Sequence, residues 1–151
     1  MTDQEVWDFF KAGKGRKKKL EELQVRLQHL ENEEGALKAI DYEKPSVSGG
    51  SISDLSDTVM RSEEARAKVK KAIAEMQVKI FDWQEKALAM IRLCENDMQA
   101  GILIAKFINE KSWREIQREY HYSESQPYVI CRQAIAAIAS KHKSMDEENR
   151  K

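Results

Sequence analysis

Eight apolar residues between positions 69 and 94 leave this chain little choice of fold. Val69, Ile73, Met76, Ile80, Trp83, Ala87, Met90 and Cys94 follow one another at steps of four and three without a break. Only an α-helix puts such positions on one narrow stripe, and a stripe that long needs another helix to cover it. At 1.5 Å per residue a helix over residues 57–94 would be on the order of 55 Å long, too long for a compact domain of this size. A weaker stripe lies upstream at Leu20, Leu23, Leu27 and Leu30, and resumes at Leu37 after a polar skip at Glu34. Its flanks, Glu21, Glu22, Arg26, Glu31, Glu33 and Lys38, are charged, so it too offers one seam and solvates the rest. Between the two, residues 41–53 hold Pro45, Gly49, Gly50 and serines 46, 48, 51 and 53, the composition of a mobile linker. Serine and aspartate between 53 and 56 can cap the second helix. The expectation is an all-α protein whose long helices fold back as an antiparallel, coiled-coil-like hairpin. The surplus length of the second helix would pair with another chain. Ahead of the hairpin, Trp7 and Phe10 mark a short helix, which Gly13 and Gly15 should separate from the main one.

Charge narrows the function classes. Lys and Arg number 26 and Asp and Glu 26, so the chain is formally neutral and no basic coat for nucleic acid covers it. Two local excesses are hidden in that balance. Lys14, Arg16, Lys17, Lys18 and Lys19 could touch phosphates without sequence preference. Residues 101–143 carry seven basic side chains (Lys106, Lys111, Arg114, Arg118, Arg132, Lys141, Lys143) against four glutamates (Glu110, Glu115, Glu119, Glu124), a net of +3. No apolar run approaches the roughly 18 residues of a membrane span, and the acidic start is unlike a signal peptide. A soluble, cytoplasmic protein with no membrane partner is expected. Cys94 and Cys131 fall on apolar helical positions, without metal-ligand spacing, and read as buried thiols. His29, His121 and His142 are scattered, no glycine-rich phosphate loop is present, and no nucleophile has an evident base partner. Neither an enzyme nor a cofactor or metal site is expected.

The chemistry concentrates after residue 95. Ile102, Leu103, Phe107 and Ile108 make a short apolar helix that stops before Asn109. Ser112 and Glu115 form a capping box that starts a new helix at 113, carrying Trp113, Ile116 and Tyr120 inward. Ser123 and Gln126 offer a second box eleven residues on, the spacing of a helix-turn-helix. The last helix should bury Ile130, Cys131, Ala134, Ile135 and Ile138. Ser125, Gln126, Tyr128, Val129, Arg132, Gln133 and Ala136 then lie on its outer face. Gln and Arg can pair bidentately with adenine and guanine edges, while Ser, Tyr and Arg suit phosphates.

The run 107–116 (FINEKSWREI), followed by Tyr122-Ser123 and a helix carrying Arg132-Gln133-Ala134-Ile135, resembles the sigma-factor region 4 type of helix-turn-helix. It is similar above all to the ArpU and RinA type of phage late-gene regulators, and the similarity extends upstream through the leucine-rich helix, the linker and the second long helix. The resemblance implies late-gene activation in a phage or prophage of a Gram-positive host. Such motifs usually carry a small residue where Gln117 stands, a glycine where His121 stands and an apolar residue where Pro127 stands. Histidine tolerates a positive φ. Gln117 should widen the contact between the two helices or turn its amide to solvent. Pro127 is accommodated without loss if the cap moves from Ser123 to Ser125, so that proline sits in the first turn. Glu124 and Val129 occupy positions where the family commonly has arginine, which implies weak phosphate contact by this helix.

The resulting organisation is a hairpin and oligomerisation region over 1–94, a helix-turn-helix over 95–143 and a polar tail over 144–151. The candidate DNA contacts are Ser125, Gln126, Tyr128, Val129, Arg132 and Gln133, with Arg114 and Lys111. The expected partners are double-stranded DNA and a second copy or a higher homo-oligomer, with host RNA polymerase a further candidate. Two other functions fit the same pattern: a small terminase subunit in DNA packaging, and a structural protein that uses only its heptads.

Overall fold

The computed structural model describes the backbone of residues 1–43 and 51–151 and the side chains of 1–35 and 57–151. It is all-helical, with no strand among the described residues. Helix α1 spans Asp3–Glu43, α2 Ser51–Ile91, α3 Asp97–Leu103, α4 Trp113–Tyr120 and α5 Gln126–Asn149. Of the expected linker, residues 44–50 lie outside the described residues, as does the side chain of Leu37. Residues 41–43 belong to α1, and α2 begins at Ser51, earlier than the expected cap at 53–56. The break expected at Gly13 and Gly15 is absent, because α1 runs straight through both. Gly13 is there for packing: the Trp83 indole lies against its backbone.

Two compact units divide the chain, Met1–Lys17 with Ile80–Lys151, and Lys18–Lys79.

In the unit Lys18–Lys79, Val69 and Met76 are buried, and Leu20, Leu23, Leu27 and Leu30 are half-buried. Glu34, read from the sequence as a polar skip in the stripe, points inward and is only 4 % exposed. Its carboxylate pairs with the Arg66 guanidinium at 2.5 Å. A carboxylate buried on an otherwise apolar seam is costly unless paired, so this contact favours the register that brings residues 34 and 66 together.

The other unit holds the larger core. Val6 and Phe10 meet Trp83, Ala87 and Ile91, with Ile102, Leu103 and Phe107 packed among them. Ile130, Cys131, Ala134, Ile135, Ile138 and Ala139 complete the cluster. Burying a large aliphatic or aromatic side chain of this kind stabilises by about 1.5–3 kcal/mol. Ile80, Trp83 and Ala87, and in the other unit Val69 and Met76, are thus buried within a single chain. Ile73, Met90 and Cys94, on the same stripe, are half-buried.

Short-range signals set the boundaries of the last three helices. The Asn96 side chain caps α3 by accepting from the Gln99 N–H. After Leu103 the helix widens into a π-turn over Ile104–Ile108, where the Asn109 N–H reaches back to the Ile104 carbonyl. Glu110 follows at φ 54°, and the chain reverses into α4. The Ser112 and Glu115 capping box is complete, with bonds of 3.2 and 2.9 Å. His121 closes α4 at φ 56°, ψ 40°, in the left-handed region. Ser125 is the N-cap of α5, and Pro127 lies in the first turn, as the shifted cap required. The Ser125 hydroxyl makes no capping bond. Residues 144–149, expected in a polar tail, continue α5 with their side chains exposed.

Candidate nucleic-acid interface

Helix α5 divides cleanly into two faces. Ile130, Cys131, Ala134, Ile135 and Ile138 are buried, with Ile135 and Ile138 fully so. Ser125, Gln126, Tyr128, Val129, Arg132, Gln133 and Ala136 are all exposed. From 125 to 136 Arg132 is the only charged side chain, so this surface offers amides, a phenol and one guanidinium, and little charge. Arg114, on α4, is exposed. Lys111 donates to the Glu119 carboxylate, which raises its pKa and neutralises it in place.

The turn between α4 and α5 is tied from within. The Gln117 amide donates to the Glu124 carbonyl at 2.5 Å, so this side chain bridges the turn where the sequence pattern has a small residue. The Tyr122 N–H reaches the Gln117 carbonyl at 3.1 Å. Tyr120, expected inside, is exposed and stacks on Tyr122 with ring centres 5.7 Å apart. In a helix of eight residues only one side faces the core, and Ile116 fills it. Trp113 is half-buried and not a core residue like Ile116.

Trp113 borders a cleft of about 640 Å³ that the sequence did not suggest. Tyr128, from the outer face of α5, meets Trp113 edge-on at 5.7 Å and lies near-parallel to Trp7 at 6.3 Å. Lys106 stands over the Trp113 ring at 4.6 Å and Lys11 over the Trp7 ring at 5.1 Å. Lys14 also lines the cleft, while Lys17 donates to the Ile108 carbonyl at the end of the π-turn. A helix end leaves carbonyls without partners, and a cation is well suited to one. Part of the basic run thus serves the fold and part the cleft. Burial, and then the neighbouring Lys14, lower the pKa of the Lys106 ammonium. No linear spacing marks this site, since residues 7, 14, 106, 113 and 128 come from four separate stretches of chain.

Burial pushes the Cys131 thiol up to about 12 and Cys94 up to about 11, which favours the protonated thiol at neutral pH. Among the described residues no group of three His, Cys, Asp or Glu could hold a metal ion. No helix there is long and apolar enough to cross a membrane. Comparison with known proteins returns no relative: no family model, curated protein or solved structure matches the chain.

Proposed function

We propose that the chain is a sequence-specific DNA-binding transcriptional regulator in which α4 and α5 form a helix-turn-helix and α5 enters the major groove. The observation that carries this reading is the pairing of a capped short helix, a left-handed turn at His121 and a second helix with one buried face. The other face of that second helix presents Gln126, Arg132 and Gln133. Gln and Arg are the side chains whose geometry matches adenine and guanine edges. Ser125 and Tyr128 suit the flanking phosphates, with Arg114 approaching from α4.

The long helices belong to the same proposal as an antiparallel hairpin. Within one unit the Trp83 indole N–H donates to the Phe9 carbonyl, and within the other Glu34 pairs with Arg66. Each contact joins α1 to α2 inside its own unit, which supports the pairing of the two long helices. One α5 with a single guanidinium would bind weakly, so two copies on half-sites one helical turn apart, about 34 Å, give the working complex. Late-gene activation and contact with a host RNA polymerase enter from the resemblance to phage regulators.

Selection of binding sites from a random duplex pool tests the proposal. An enriched sequence is expected, on which Arg132→Ala and Gln133→Ala each lose about 1–3 kcal/mol while binding to random duplex changes little. A lysine or arginine that touches only phosphate would instead weaken both duplexes alike and reduce the salt slope by roughly one ion. No enrichment, or wild-type affinity in both variants, would remove α5 from the interface.

A further inference from the structure

The cleft beside α5 shares Tyr128 with the proposed groove-binding face and has a further chemistry that groove binding leaves unused. Its volume of about 640 Å³ lies within the roughly 300–1,000 Å³ of small-molecule sites. Three ammonium groups, Lys11, Lys14 and Lys106, are gathered around it, and among the described residues none has a carboxylate at ion-pair distance. Glu110 is the one acid in the lining, and Lys111 is already matched by Glu119. Like charges brought together beside aromatic walls repel one another, and a bound anion relieves that repulsion. The lowered pKa of Lys106, caused by burial and then by Lys14, is in keeping with this.

The walls are equally particular. Trp7, Trp113 and Tyr128 form a connected aromatic surface, and the rings of Trp7 and Trp113 each carry a lysine. A ligand suited to both halves has a flat π-system at one end and a compact anion at the other. Lysine meets phosphate as a point charge, and a nucleobase stacks on aromatic faces without regard to its hydrogen-bonding edge. We propose that this cleft binds a free nucleoside phosphate, the phosphate at Lys14 and Lys106 and the base against Trp7, Trp113 and Tyr128. The inference stands apart from the DNA-binding reading and survives its failure.

Two of the three tryptophans border the cleft, so the full-length protein reports on its own occupancy. Titration with AMP, GMP or CMP should quench the tryptophan fluorescence saturably, with inorganic phosphate about tenfold weaker because it leaves the aromatic surface unused. Lys14→Gln and Lys106→Gln should each weaken mononucleotide binding about tenfold, the usual scale for losing one charge-assisted contact. Lys141→Gln, outside the cleft, should leave binding unchanged. Lys14 is exposed, so its variant keeps the fold, and circular dichroism checks both. Three results would overturn the proposal. One is the absence of saturable quenching at millimolar nucleotide, and another is inorganic phosphate binding as tightly as the nucleotides. The third is duplex DNA, and no mononucleotide, binding with the same dependence on Lys14 and Lys106, which would assign these lysines to a phosphodiester backbone.

Discussion

Replacing Gly13 and Gly15 by alanine should move stability in opposite directions, although both glycines lie in the interior of α1. An exposed helical Gly→Ala change gains about 0.5–1 kcal/mol, because glycine gives up more backbone freedom on folding. Gly15 meets nothing within 4 Å, so Gly15→Ala should realise that gain. At Gly13 a Cβ would lie 2.2, 2.3 and 2.5 Å from three atoms of the Trp83 indole. The ring would have to withdraw by about 1 Å to restore ordinary contact, in an interior as dense as an organic crystal. It has little room to do so, being 2 % exposed, stacked near-parallel to Phe9 at 6.1 Å and bonded through its N–H to the Phe9 carbonyl at 2.9 Å. Overpacking costs about 1–3 kcal/mol and the strained hydrogen bond a further ~0.5–1.5 kcal/mol. Set against the helix gain, Gly13→Ala should destabilise by about 0.5–4 kcal/mol. For a chain of this length each kcal/mol moves the midpoint by roughly 2–4 °C. Thermal melts followed by circular dichroism and by tryptophan emission would read the difference. If Gly13→Ala raises the midpoint as Gly15→Ala does, the indole does not rest on the α1 backbone and the reasoning fails.

Alkaline stability should depend on the two thiols. Their folded values, about 11 for Cys94 and about 12 for Cys131, lie above the ordinary 9.0, so the folded chain holds protons that the unfolded chain has released. The stability they contribute is whole below pH 9 and is lost as pH rises through the folded values. Urea melts between pH 8 and 11 should show a fall that Cys131→Ala makes shallower, though from a lower plateau, and an unchanged slope would count against the buried thiol as its source. His121→Gly should stabilise by up to about 1 kcal/mol, since a left-handed backbone costs a residue with a Cβ roughly that much. A loss of stability in this variant would mean that the imidazole makes a contact worth more than the strain.

Sequence legibility followed the range of the interactions. The capping box at Ser112, the left-handed His121, the start of α5 after Ser125 and its buried face were readable because each depends on residues within one or two turns. What escaped was decided by partners distant along the chain. Gly13 reads as a helix breaker until Trp83 is placed against it, and Glu34 as a solvated skip until Arg66 arrives. Tyr120 has the spacing of a core residue, yet Ile116 takes the one inward position that a two-turn helix offers. The cleft is the extreme case, because Trp7, Lys106 and Tyr128 belong to no common periodicity. Trp7 was legible only as an apolar position, Lys106 only as one of several cations, and Tyr128 only as an outward side chain. Periodicity can say that a residue faces out, but whether it meets water, DNA or a ring from another helix depends on contacts that no local pattern encodes. For that reason the exposed face of α5 is a chemical possibility at Arg132 and Gln133, whereas at Tyr128 it is already committed in part to the aromatic surface it shares with Trp7 and Trp113. A Tyr128→Ala variant would therefore mix two losses, and Arg132 and Gln133 are the positions where readout can be measured alone.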